Sequence, residues 1–185
     1  MRRLVFLALL LALVAGVPAG ASTFLAMDQR ALIKDSVAVI DGEVLQVHSF
    51  WDPKGQIMIT DAIVRVTDKV LGDAGSAVVV RTFGGTVEGY TVKAEGFPTF
   101  KRGERFLLYL EVERDGAHRI AGYQQGQYRI VRGKDGQEVA IPTIDHGATL
   151  LHRDGRQAAR PRSLALESLK NQIRTEAQGL GRIDN

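Results

Sequence analysis

Two long runs rich in β-branched residues, Val37 to about Phe50 and Ile57 to Leu71, meet at Trp51-Asp52-Pro53-Lys54-Gly55-Gln56. In the second run Ala62, Val64 and Val66 fall on one side of the chain, and Asp61, Arg65 and Thr67 on the other. A period of two sets one face of a strand against a core and leaves the other in water. Proline presets φ and glycine accepts a positive one, so Asp52-Pro53 followed by Gly55 is a turn. The stretch is therefore a β-hairpin. Its first strand is too long to stay flat, and Gly42 is the natural point for a bulge.

The other segments add strands to this hairpin. Ala77–Thr82 is a third strand. Phe106–Val112 is a fourth, with Phe106, Leu108, Leu110 and Val112 on one face and Arg105, Tyr109, Glu111 and Glu113 on the other. Arg114-Asp115-Gly116 supplies the left-handed positions of a tight turn into a fifth strand, His118–Tyr123. Tyr128–Arg132 and Glu138–Ile141 make a smaller hairpin around Gly133-Lys134-Asp135-Gly136. Between Thr86 and Arg102, glycines and Pro98 predict an edge strand or an ordered loop. Asp28 caps a short helix running to about Lys34, and Ser163 caps a final helix with Leu166, Leu169 and Ile173 on one stripe. Strands without β–α alternation predict a mainly β fold, a small antiparallel barrel with short N- and C-terminal flanking helices. Closure leaves no long exposed edge. A two-sheet sandwich is the alternative.

Residues 1–21 read as a signal peptide. Arg2 and Arg3 precede the apolar stretch Leu4–Val17, and Ala19-Gly20-Ala21 is a small-x-small cleavage site. A spanning helix needs about 20 apolar residues, so this stretch is short for an anchor. The organisation that follows is a β-barrel domain over 22–142, a polar linker over 143–162, and a C-terminal helix and tail over 163–185. The expected location is periplasmic or secreted, with no membrane attachment after signal removal, and the chain reads as a monomer.

The sequence contains no cysteine, so the core must suffice without disulfides. The same absence removes thiol catalysis, zinc–thiolate sites and iron–sulfur clusters. Removing Arg2 and Arg3 from the 24 basic residues leaves 22 against 21 acidic ones, a net charge of +1. Such a balance gives no general attraction to nucleic acid. His48, His118, His146 and His152 lack the spacing of a helical zinc site. Gly133–Gly136 lacks the acids of a calcium loop, and no Gly-x-Ser-x-Gly elbow occurs. No catalytic, cofactor or metal residue is assigned. Phe50, Trp51, Tyr90, Phe97, Phe100, Tyr123, Gln125 and Tyr128 are the candidate binding residues, because most lie at strand ends, where barrel mouths take ligands. Plugging the ends of the barrel is the other role open to the aromatic ones.

Several landmarks carry a resemblance: Asp35-Ser36-x-Ala38-Val39-x-x-Gly42-x-Val44, Thr60-Asp61-Ala62-x-Val64-x-Val66, Gly84-Gly85, Gly96-Phe97-Pro98-x-Phe100-x-x-Gly103-Glu104, and Gln125-Gly126-x-Tyr128-x-Ile130. From about Thr23 to Ile130 the chain resembles a family of uncharacterised bacterial secreted proteins, which implies an exported OB-like β-barrel. Its opening is also similar to the netrin-like modules of tissue inhibitors of metalloproteases. Those place an N-terminal cysteine on the protease zinc, and Ser22-Thr23-Phe24 offers none, so that mechanism does not carry over. The expected function is an exported non-catalytic binding module acting on a protein partner such as a secreted protease. The alternatives are a small extracytoplasmic hydrolase using Asp41, Glu43 or Asp61, and an OB barrel that binds oligonucleotides or oligosaccharides.

Overall fold

The computed structural model describes residues 22–113 and 115–182, so the signal-peptide reading of 1–21 lies outside the described residues. Strand β1 (Thr23–Leu25) leads into helix α1 (Gln29–Asp35), where Asp28 Oδ1 accepts from the Ala31 N–H at 2.8 Å. The expected cap is the one present. Strands β2 (Ala38–Trp51) and β3 (Met58–Leu71) form the long antiparallel hairpin. Asp52 closes its turn by accepting from the N–H groups of Gln56 and Ile57 at 2.6 and 2.7 Å. The register slips between Asp41 and Gly42, as the glycine predicts. A Cβ at Gly42 would press on Val64 and on the Arg65 carbonyl, so only glycine fits this crossing.

Next come β4 (Ala77–Phe83), a small separate hairpin of β5 (Gly85–Val87) and β6 (Tyr90–Val92), then β7 (Arg105–Val112) and β8 (His118–Ile120). β2 pairs with β3 and β7, β3 with β4, and β7 with β8, all antiparallel. β8 then returns to β4 through Val80 and His118, and this pairing is parallel. The five strands thus close into a barrel, but a mixed one, which corrects the purely antiparallel expectation. The reason is arithmetic: strand directions cannot alternate around a closed ring of five, so one junction must be parallel.

β9 (Gln127–Arg132) pairs with the first half of β7, and β10 (Glu138–Pro142) and β12 (Leu164–Ala165) extend the sheet beyond it. β11 (Thr149–Leu151) pairs in parallel with β1. It lies in the stretch 143–162, where Arg160 Nη2 donates to the carbonyls of Asp145, His146 and Ala148 at 3.0, 2.8 and 2.5 Å. The final helix, α2 (Leu166–Gly179), returns to the barrel wall.

β7 divides two cores. Phe106, Leu108 and Leu110 point into the barrel with Val44, Ala62, Val64 and Val80. Leu107 and Tyr109 point outward, under Leu32 and Ile33 of α1 and Leu166, Leu169 and Ile173 of α2. Tyr109, placed on the solvent face by its alternation with Leu108 and Leu110, is 1% exposed because the two helices cover that face. Burying each such aliphatic side chain is worth roughly 1.5–3 kcal/mol, which explains why the stripe on α2 docks here. Among the described residues, no helix is long and apolar enough to cross a membrane.

Candidate functional site

The segment Gly122-Tyr123-Gln124-Gln125-Gly126-Gln127 organises one rim of the barrel. Its 3₁₀ turn, Tyr123–Gly126, is entered through two successive left-handed residues, Gly122 at φ 65° and Tyr123 at φ 58°. Glycine adopts this backbone freely, whereas tyrosine does so at a cost. The three glutamines are buried, and each ties a different loop to the rim. Gln124 Nε2 donates to the Phe97 carbonyl at 3.3 Å and to Asp145 Oδ2 at 3.1 Å, while its Oε1 accepts from the Asp145 N–H at 2.9 Å. Gln125 accepts from the Met27 N–H at 2.9 Å and donates to the Leu25 carbonyl at 3.0 Å. Gln127 donates to the Thr99 carbonyl at 3.2 Å and accepts from Thr143 Oγ1 at 2.7 Å.

These ties gather aromatic rings from distant parts of the chain. Tyr123 meets Phe97 edge-on at 5.1 Å, Phe97 meets Phe83 edge-on at 5.0 Å, and Phe24 lies 5.8 Å from Tyr123. Beside them is a cavity of about 240 Å³, lined by Phe83, Phe97, Tyr123 and Met27 on its apolar side and by Arg81, Arg119 and Glu111 on its polar side. The volume is below the roughly 300–1,000 Å³ of small-molecule pockets and suits a single side chain.

The charges around the cavity are arranged unequally. Arg81 donates to both oxygens of Asp61 at 2.7 Å and also pairs with Asp115. Those hydrogen bonds hold its pKa above the ordinary arginine value. Arg119 pairs with Glu113, and its guanidinium carbon lies 4.9 Å from the centre of the Phe83 ring. Glu111 sits across the β7–β8 ladder from Arg119 but has no hydrogen bond or ion pair among the described residues. Burial pushes its carboxyl above the usual range; Arg119 opposes this and Glu113 and Asp35 add to it.

The predicted binding residues separate into groups. Phe97 and Tyr123 come together at the cavity. Gln125 is its buried support. Phe100 packs edge-on against Phe106 inside the barrel, and Tyr128 packs beside Tyr109 in the second core, so both are core residues. Phe50 stacks on His48 at 5.7 Å on the outer face, with Arg81 at 5.9 Å from its ring. Trp51 and Tyr90 are exposed on the β2–β3 and β5–β6 hairpins. Sequence reasoning missed Phe24, Met27, Phe83, Arg81, Arg119 and Glu111. Only Glu111 carried a signal, as the first acid after the apolar run Phe106–Leu110.

The three carboxylates considered for hydrolysis are each held by a different arginine. Asp41 is fully buried and accepts from Arg105 Nε and Nη2 at 2.8 and 2.7 Å, Glu43 lies 2.5 Å from Arg65 Nη2, and Asp61 is bound by Arg81. Among the described residues, no group of three or more histidine, aspartate or glutamate side chains is placed to hold a metal ion. No protein-family model and no curated protein matches the chain; what the structure shows is an architecture, a closed five-stranded barrel with two flanking helices.

Proposed function

We propose that this chain is an exported, non-catalytic binding module that holds a protein partner, such as a secreted protease, by a side chain seated in the cavity between Phe97 and Tyr123. The observation that carries this reading is Tyr123 itself. Its ring is about half exposed at the cavity mouth, on a left-handed backbone flanked by the glutamine ties. Strain of this kind concentrates where a protein uses it. The five-stranded ring fits the OB-like type, whose faces and loops serve binding. Hydrolysis finds no support in Asp41, Glu43 and Asp61, whose charges are matched by arginines. An oligonucleotide is opposed by the acids Asp61, Glu111, Glu113 and Asp115 around the cavity, because phosphate backbones need cationic surfaces.

The test is affinity capture from a periplasmic or culture-supernatant extract on the exported protein, run beside Tyr123→Ala, Phe97→Ala and Trp51→Ala. A partner retained by the native chain and by Trp51→Ala, and lost by the two cavity variants, is the expected result. Recovery of no partner, or equal recovery by all four, overturns the reading. So does a product found unclipped inside the cell.

A further inference from the structure

We infer that the group the cavity accepts is a cationic side chain, lysine or arginine, with its aliphatic stem against Phe97, Tyr123 and Met27 and its charged head on Glu111. This rests on the proposed binding role of the same cavity and names the chemistry of its occupant.

Charge is the first argument. Among the described residues, the two guanidiniums at the cavity, Arg81 and Arg119, are already matched by Asp61, Asp115 and Glu113. Glu111 remains over, as the one charged group lining the cavity that has no partner there among the described residues. An anionic ligand would have to displace Asp61, Asp115 or Glu113 from its arginine. A cation meets an acid that is already partly buried and has no ion-pair partner among the described residues. The raised pKa of Glu111 agrees, because burial makes its negative charge costly and the nearby Arg119 only partly offsets this, with Glu113 and Asp35 adding to the cost.

The walls make the second argument. Phe83, Phe97 and Tyr123 surround the apolar side of the cavity. Aromatic faces attract ammonium and guanidinium groups within about 6 Å of the ring centre. The Phe83 face is already used in this way by Arg119 at 4.9 Å. Lysine and arginine also bury their methylene stems along apolar surface while the head stays polar. Size agrees, since about 240 Å³ admits one long side chain and little more.

The experiment is a titration of the isotopically labelled protein with N-acetyl, N′-methylamide derivatives of lysine, arginine, norleucine and glutamate, followed through the backbone amide resonances of Glu111, Gly122 and Tyr123. The lysine and arginine probes are expected to shift these resonances and to bind at least about tenfold more tightly than norleucine. In Glu111→Gln, lysine affinity falls by about tenfold and norleucine affinity stays unchanged. Norleucine binding as tightly as lysine, or lysine binding unaltered in Glu111→Gln, overturns the cationic preference while leaving the cavity a binding site. Glutamate binding most tightly overturns it in favour of Arg81 and Arg119. If no probe moves the cavity resonances, both the preference and the cavity reading fail. Should Glu111→Gln not fold, the lysine-to-norleucine comparison on the native protein decides.

Discussion

Lys170 Nζ on α2 lies 2.8 Å from Asp41 Oδ2 on β2, inside the wall between the barrel and its C-terminal helix. Asp41 is fully buried and the Lys170 side chain is 5% exposed. Arg105 grips the same carboxylate from β7, and Asp68 lies 3.0 Å from the lysine. The site therefore binds the first barrel strand, the fourth and the final helix at one charged point.

Removing one member of such a buried group leaves its partners short of compensating charge. Asp41→Asn leaves Arg105 with Glu138 and Lys170 with Asp68 and Glu167, all more exposed than the lost carboxylate, and is expected to cost about 3–5 kcal/mol. Lys170→Met leaves Asp41 with its two-pronged arginine and retains the bulk of the stem, so its cost is expected to be smaller. Urea unfolding of the two variants checks the order. Equal costs would refute the central place of the aspartate, and a larger cost for Lys170→Met would give that place to the lysine.

The same carboxylate gives a pH dependence. Burial alone would raise the Asp41 pKa, but hydrogen bonds and charge from Arg105 and Lys170 outweigh it and hold the group below the ordinary range. A depressed folded-state pKa means stability that is fully present above the unfolded value, about 3.9, and lost as pH falls through the folded one. The native protein should lose stability steeply below about pH 4, and Asp41→Asn should lose less over that window. Unfolding midpoints measured from neutral pH downward test this, and parallel curves would refute it.

Tyr123 is expected to separate stability from binding. Asparagine tolerates the left-handed backbone better than tyrosine does, so Tyr123→Asn relieves strain while removing the ring from Phe97 and Phe24. The expected net change in stability is within about 1 kcal/mol of zero, with partner retention abolished. Thermal melts beside the capture assay make the comparison.

Gly96 and Gly103 both have left-handed backbones, with φ of 79° and 83°. A Cβ at Gly103 meets nothing within 4 Å, whereas one at Gly96 would overlap the Phe24 ring. Gly103→Ala should cost only the backbone term, roughly 1–2 kcal/mol. Gly96→Ala should cost more and loosen the β1–β11 pairing. Faster hydrogen exchange at the Ala26 amide, which donates to the Leu151 carbonyl at 2.8 Å, is the specific sign.

Gln125→Leu removes the partners of the Met27 N–H and the Leu25 carbonyl together. Unpaired, partly buried backbone groups cost about 1–3 kcal/mol, and Phe24 loses its fixed approach to Tyr123. Denaturant unfolding and loss of the Phe24–Tyr123 cross-peaks would register both effects. A variant as stable as the native chain would place the organisation of this rim elsewhere.

The local grammar of the chain was legible without coordinates. The two-residue period of β3, the Asp52 turn, the Asp28 cap and the bulge at Gly42 all follow from dihedral preference and short-range periodicity, which act within a few residues. Phe97 and Phe100 show where such reading stops. Three residues apart, one faces a cavity and the other fills the barrel, because Phe106 and Phe83 arrive from other strands to receive them. Likewise the alternation of β7 is real, but its outer face is dry because two helices fold back over it. Glu111 became a site residue only when Arg119 found Glu113 instead. What a segment forms is decided by its own backbone; what its side chains touch is decided by whichever distant surface buries most against them.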